Sequence, residues 1–119
     1  AKEVYMKIEE YGFGKIVING QTYGGDVMIF PDGRIDDRWW RSKGHVLTVD
    51  DIFALISSKP DIIIAGTGAS GRMQPEKGLT ESLSGKGIDF RAIPTKEAVA
   101  LFNRKAMEAR VAACLHLSC

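Results

Sequence analysis

Cysteine and histidine are scarce in this chain, two of each among 119 residues, and that scarcity narrows the chemistry. Cys114 and Cys119 stand five apart, which supplies neither a disulfide framework nor the spacing of a four-ligand zinc site. His45 and His116 are the only imidazoles, so the pattern gives metal binding little support. A bias of charge is also missing: 16 Lys and Arg face 15 Asp and Glu, which leaves no electrostatic case for nucleic acid or an anionic membrane. No stretch approaches the roughly 18 consecutive apolar residues of a spanning helix, and Ala1-Lys2-Glu3 opens without the apolar core of a signal peptide. The expectation is a cytoplasmic protein with no metal, cofactor, nucleic-acid or membrane partner. Repeats, linkers and low-complexity tracts are lacking too, and the length suits a single α/β domain over 1–119, β-rich over 1–47 and α/β over 48–119.

What is present reads as alternating short strands followed by strand–helix units. Val4 to Ile8 and Lys15 to Ile18 predict strands, and Asn19-Gly20 predicts a hairpin because both residues tolerate positive φ. Val27 to Phe30 continues the pattern until Pro31-Asp32-Gly33 reverses the chain before Arg34-Ile35. Thr48 can cap a helix with Asp50 and Asp51 in its first turn and Val49, Ile52, Phe53 and Ile56 on one face, ended by Pro60. Asp61 to Ala65 is apolar on both faces after its first residue, the mark of a covered central strand, and Ile88 to Ile93 alternates. Thr95 precedes a long helix with Ala98, Leu101, Phe102 and Ala109 on one side, Lys105 interrupting the stripe, and Val111 to Leu117 is a nearly unbroken apolar strand.

The most conspicuous motif is Gly66-Thr67-Gly68-Ala69-Ser70-Gly71, which matches the glycine spacing of dinucleotide-binding loops. Its context does not. Pro75 predicts a helix that begins only there, with Leu79 and Leu83 on one face and Gly85 as its stop, so about nine residues separate strand from helix. The acid that would bind a ribose belongs at the end of the next strand, where this chain has Ile93-Pro94 and carries Asp89 at the beginning instead. Two readings of the loop stay open. Its amides, with Thr67, Ser70, Gly71 and Arg72, could surround a small anion; equally, the glycines could relieve crowding where the chain leaves a central strand.

A second cluster, Arg38-Trp39-Trp40-Arg41 followed by His45, concentrates stacking surface, charge and one titratable ring. Trp39, Trp40, Arg41 and His45 fit a pocket wall or partner surface; the plainer reading has one Trp capping the core and the arginines pairing with Asp36 and Asp37. His116 and Cys114 share strand parity, but in so apolar a segment they read as core rather than as a nucleophilic pair, and Cys119 stands out only as oxidisable. No catalytic residue is assigned.

The ordered set Val27 to Gly33, Trp39-Trp40-Arg41 with His45, Ile62 to Gly68, and Ala112 to Cys119 resembles the Mth-like domain family of unknown function. Its eukaryotic relatives include an adipogenesis-associated protein and a mitochondrial complex I assembly factor. The resemblance implies a three-layer α/β fold with a mixed central sheet flanked by helices, a β-rich N-terminal portion and a last strand antiparallel to its neighbours. It implies no catalytic residue. With no acid–base pair, nucleophile–base pair or metal cluster visible along the chain, the leading expectation is a non-enzymatic binding or assembly-type domain for a protein partner. The rival is a small-anion-binding protein or enzyme that uses the 66–72 loop with the Trp39–His45 segment as wall or base.

Overall fold

Residues 6–119 are described by a computed structural model, in which the first three strands, β1 (Ile8–Gly12), β2 (Lys15–Ile18) and β3 (Gln21–Tyr23), form an antiparallel sheet. Asn19 and Gly20 adopt φ of 49° and 83°, as the hairpin between β2 and β3 requires. The strand expected at Val4 to Ile8 instead starts at Ile8, and Val4 and Tyr5 lie outside the described residues. β4 (Val27–Ile29) and β5 (Ile35–Asp36) make the second expected hairpin around Pro31-Asp32-Gly33. After β6 (Val46–Leu47), a single 3-10 turn at Asp50–Ile52 runs into α1 (Phe53–Ser57). Then come β7 (Ile62–Gly66), β8 (Gln74–Pro75), α2 (Leu79–Ser84), β9 (Asp89–Ile93), α3 (Thr95–Lys105) and β10 (Val111–Leu115).

The main sheet runs β5-β4-β10-β7-β9 and is mixed. β7 is parallel to both β9 and β10, whereas β10 is antiparallel to β4. The last strand is therefore antiparallel to one neighbour and parallel to the other, a correction to the implied arrangement. Its place at the centre follows from its composition: Val111 to Leu115 are all buried, so the strand needs cover on both faces and a partner on both edges.

Period-2 alternation divides the core into two layers. Ile63, Ala65, Ala112, Cys114 and Met28 face α1 and α2, packing with Ile52, Leu55, Leu79 and Leu83. Ile62, Ile64, Val111, Ala113, Leu115 and Ile29 face the other way, against Ala98, Leu101 and Phe102 of α3 and Ile8, Ile16 and Ile18 of the small sheet. Asn103 ties that small sheet to α3, its amide side chain bonding both the N–H and the C=O of Ile8 at 2.9 and 2.8 Å. The architecture is thus helices, sheet, then helix with a β-rich N-terminal layer.

Several local expectations shift. Thr48 does act at a helix start, since its Oγ accepts the Asp51 N–H while the Asp51 carboxylate accepts the Thr48 N–H at 2.9 Å. The buried face is Ile52 and Leu55, however, and Phe53 is 64% exposed, because the 3-10 turn changes the angular phase of the residues after it. Pro75 does not start a helix: it sits in β8, parallel to β6, and α2 begins at Leu79. Leu79 and Leu83 are buried as expected. Thr95 is inside the first turn of α3 with its hydroxyl used elsewhere, and Ala109 lies exposed beyond the end of that helix.

Candidate functional site

Two strand registers assemble one polar cluster. Leu115 pairs with Val27 across the antiparallel edge of β10 and with Gly66 across its parallel edge. The residue after Leu115, His116, must therefore meet the residue before Val27, Asp26, and the segment 116–119 must run beside the loop that follows Gly66.

That loop holds the segment through its backbone. The His116 N–H donates to the Gly66 carbonyl, the Ala69 N–H to the Ser118 carbonyl at 2.9 Å, and the Ser70 N–H to the Cys119 carbonyl at 3.4 Å. Buried Thr95 bridges the two, its hydroxyl donating to the His116 carbonyl and accepting the Gly68 N–H at 2.8 Å. Thr67 and Gly71 give their amides to Ile93 and Gly68. The glycines answer crowding. A Cβ on Gly66 would stand 2.9 Å from Leu115 and from Thr95, and one on Gly68, at φ 106°, would stand 2.4 Å from the Cys119 carbonyl carbon. The amides of residues 67–71 are thus bonded within the chain, and Gly66 and Gly68 stand where a Cβ would be crowded. Of its side chains, Thr67 is buried and Ser70 and Arg72 are exposed. The loop from Thr67 to Gly78 also separates β7 from α2 by more than the expected nine residues, so α2 does not begin at the glycines, and the helix start that meets Gly66 and Gly68 is that of α3, at Thr95.

Within the cluster, the Asp26 carboxylate accepts the Leu117 N–H at 2.9 Å on Oδ1 and Arg41 Nη1 at 2.8 Å on Oδ2. His116 Nδ1 approaches the same Oδ2 at 2.8 Å. Burial pushes the Asp26 carboxyl upward, but the Leu117 amide, the Arg41 guanidinium and His116 outweigh it and hold the group below its ordinary range. An ionised carboxylate only accepts, so His116 Nδ1 must carry the proton and donate. The 3.3 Å contact from Arg41 Nη2 to that nitrogen is then a packing contact rather than a hydrogen bond. His116 Nε2 is buried and has no hydrogen-bond partner among the described residues. An unsatisfied buried group of this kind typically costs about 1–3 kcal/mol.

The Trp-rich segment supplies the other side. Trp39 is buried with its indole N–H on the Asp51 carbonyl at 2.9 Å, while Trp40 is 77% exposed. Arg41 stacks 5.2 Å from the Trp39 ring and pairs with Asp26, not with Asp36 or Asp37. His45 gives its backbone carbonyl to the Gln74 N–H at 2.8 Å, and its exposed ring lies edge-on to His116, 6.2 Å between centroids. One ring nitrogen from each histidine and Cys119 Sγ all lie within 4.8 Å of one another. Sequence spacing had argued against metal-type donors; the fold gathers three of them from positions 45, 116 and 119. Cys114 stays in the core, where burial pushes its thiol up to about 12. Asp26 is not legible in the sequence as a site residue, because no local pattern links it to His116, 90 residues further on.

The fold is that of an Mth-like α/β domain, and the comparisons agree. A family model described as protein of unknown function (DUF498/DUF598) matches residues 8–116, and the chain belongs to that family. A conserved hypothetical protein, PH1505 from Pyrococcus horikoshii OT3, is similar over 96% of this chain and 100% of its own, with 28% identity and a TM-score of 0.80. An outer membrane protein from Bartonella henselae is similar at 26% identity, with 95% of each chain covered and a TM-score of 0.76. At 16% identity and a TM-score of 0.65, a Mth938-like domain protein of Bordetella pertussis shares the fold over 94% of this chain and 85% of its own. No helix among the described residues is long and apolar enough to cross a membrane.

Proposed function

We propose that this chain is a non-enzymatic binding domain that receives its ligand at the cluster of Asp26, Arg41, His45, His116 and Cys119. One observation carries the reading: His116 Nε2 is buried, oriented by the Asp26 hydrogen bond, and left without a partner. A polar group in that condition calls for an explanation, and a ligand bound to it supplies one. Exposed Trp40, one residue from Arg41, gives a protein partner an aromatic anchor beside the cluster, which supports an assembly-type role. The two free cysteines support a cytoplasmic setting. Binding of an anion by the 66–72 loop is disfavoured, since only Ser70 and Arg72 still have groups to offer it.

A second reading has a specific observation behind it. Asp26, His116 and Cys119 stand in the order carboxylate, imidazole, thiol, the order in which a base activates a nucleophile. The test of the binding reading is solution NMR of the histidine ring nitrogens during titration with phosphate, sulfate, acetate and divalent transition-metal ions. The expected result is a shift at His116 Nε2 with at least one of these probes. If none moves His116 or His45, the cluster is not a ligand site.

A further inference from the structure

We propose that His45, His116 and Cys119 form a site for a zinc-class divalent metal ion, with Asp26 as the carboxylate that orients the buried ligand. The proposal rests on the binding reading above and names the ligand's chemistry.

The donor set is the first argument. Imidazole nitrogen with thiolate sulfur suits zinc and its neighbours in the first transition row, and discriminates against magnesium and calcium, which take oxygen ligands. Donor atoms from all three residues already lie within 4.8 Å of one another. A tetrahedral ion with bonds of about 2.0–2.3 Å needs its donors roughly 3.3–3.6 Å apart, so the group must close by about 1 Å. The freedom for that exists on the two outer ligands: the His45 ring is exposed, and Cys119 is half-buried.

The second argument is the state of His116. Metal-bound histidines characteristically donate their other ring N–H to a carboxylate, which fixes tautomer and orientation. His116 does this with Asp26 at 2.8 Å, and the nitrogen left over is the buried, unpartnered Nε2. The side chain is 8% exposed, so Nε2 lies away from bulk solvent. A cation bound at that nitrogen would satisfy it without any further protein donor.

Charge agrees. Arg41 and Asp26 neutralise each other through their 2.8 Å contact, and on metal binding the Cys119 thiol releases its proton to solvent, leaving one negative charge beside the ion. Three protein ligands leave a fourth position for water or for a donor from a partner. The glycine-rich loop then acquires a task. By bonding the Ser118 and Cys119 carbonyls, and by having no Cβ at Gly68, it seats the thiol opposite the histidines.

The experiment uses Co²⁺ as the probe on the full chain after chelator treatment. The expected result is one equivalent bound, with a thiolate-to-cobalt charge-transfer band in the near ultraviolet and intense visible bands of tetrahedral cobalt. Cys119→Ser should abolish the charge-transfer band, and His45→Ala should weaken binding roughly tenfold or more, a loss typical of disturbed metal shells. Both positions lie outside the core, and unchanged melting of the two variants would exclude unfolding as the cause. Absence of the charge-transfer band, or equal affinity in His45→Ala, overturns the proposal. If Co²⁺ fails while phosphate or acetate moves His116 Nε2, the metal assignment falls and the binding reading stands. If instead the metal-free protein shows ultraviolet absorbance of a Cys119 thiolate that His116→Gln removes, the thiol reading replaces the metal one.

Discussion

Asp26 and His116 lie 90 residues apart in the chain and 2.8 Å apart in space. The pairing of Val27 with Leu115 places them there, since each is the next residue outward along its strand. A one-residue slip would turn His116 to the other face of the sheet and break the contact. The candidate site is therefore a consequence of strand register, and the stability of the fold and the integrity of the site are linked.

Asp26→Asn should test that linkage through pH. The Arg41 side chain is only 9% exposed, so removing its counter-charge is expected to destabilise the protein by about 2–4 kcal/mol near neutral pH, at the scale of a broken buried pair. The folded-state pKa of Asp26 is lowered. Its contribution is accordingly present above the unfolded-state value of about 4 and is lost as pH falls through the folded value. Urea unfolding should show the gap between parent and variant shrinking below about pH 4. A gap that stays constant would mean that the carboxylate charge is not its source.

Two glycine substitutions should separate backbone strain from crowding. Gly78 has φ 85° and open space around its Cβ position, so Gly78→Ala should cost about 1–2 kcal/mol, the left-handed penalty alone. Gly68→Ala adds a clash with the backbone of Ser118 and Cys119, whose atoms would lie 2.4–2.7 Å from the new Cβ. It should be clearly more destabilising and should also raise the reactivity of Cys119. Equal melting temperatures for the two variants would count against the packing described for the loop.

Ile63→Ala removes a fully buried side chain from the α1/α2 face of β7 and should cost about 2–5 kcal/mol. Denaturant titration is the measurement. A loss below about 1 kcal/mol, well under the usual range for such a truncation, would place β7 at the periphery, contrary to its position between β10 and β9.

Thiol counting distinguishes the two cysteines and reports on the metal. In the folded, chelator-treated protein one thiol, Cys119, should react rapidly with an aromatic disulfide reagent. Cys114, fully buried with its thiol pushed up to about 12, should react only after unfolding. Added Zn²⁺ should protect Cys119, and chelation should restore its reactivity. Two fast thiols in the folded state would contradict the core position of Cys114.

The sequence by itself determined those features that residues express locally. Asn19-Gly20 closes its hairpin because both positions accept positive φ. The run from Ile62 to Ala65 is apolar on both parities and becomes an internal strand, and Leu79 with Leu83 marks one buried helical face. The family resemblance was also legible there, carried by ordered motifs along nearly the whole chain. Tertiary structure alone decided the rest. Pro75 lies in a strand because it pairs with Leu47, whose carbonyl accepts the Glu76 N–H, across a distance that helix-start rules do not see. β10 is antiparallel to β4 and parallel to β7 because a strand apolar on both faces is stable wherever two edges are free, and composition does not say which two. The site was illegible for the same reason: Asp26, His45, His116 and Cys119 have no common period; the register of β10 on β4 brings Asp26 to His116, and the pairing of β6 with β8 holds the segment that carries His45.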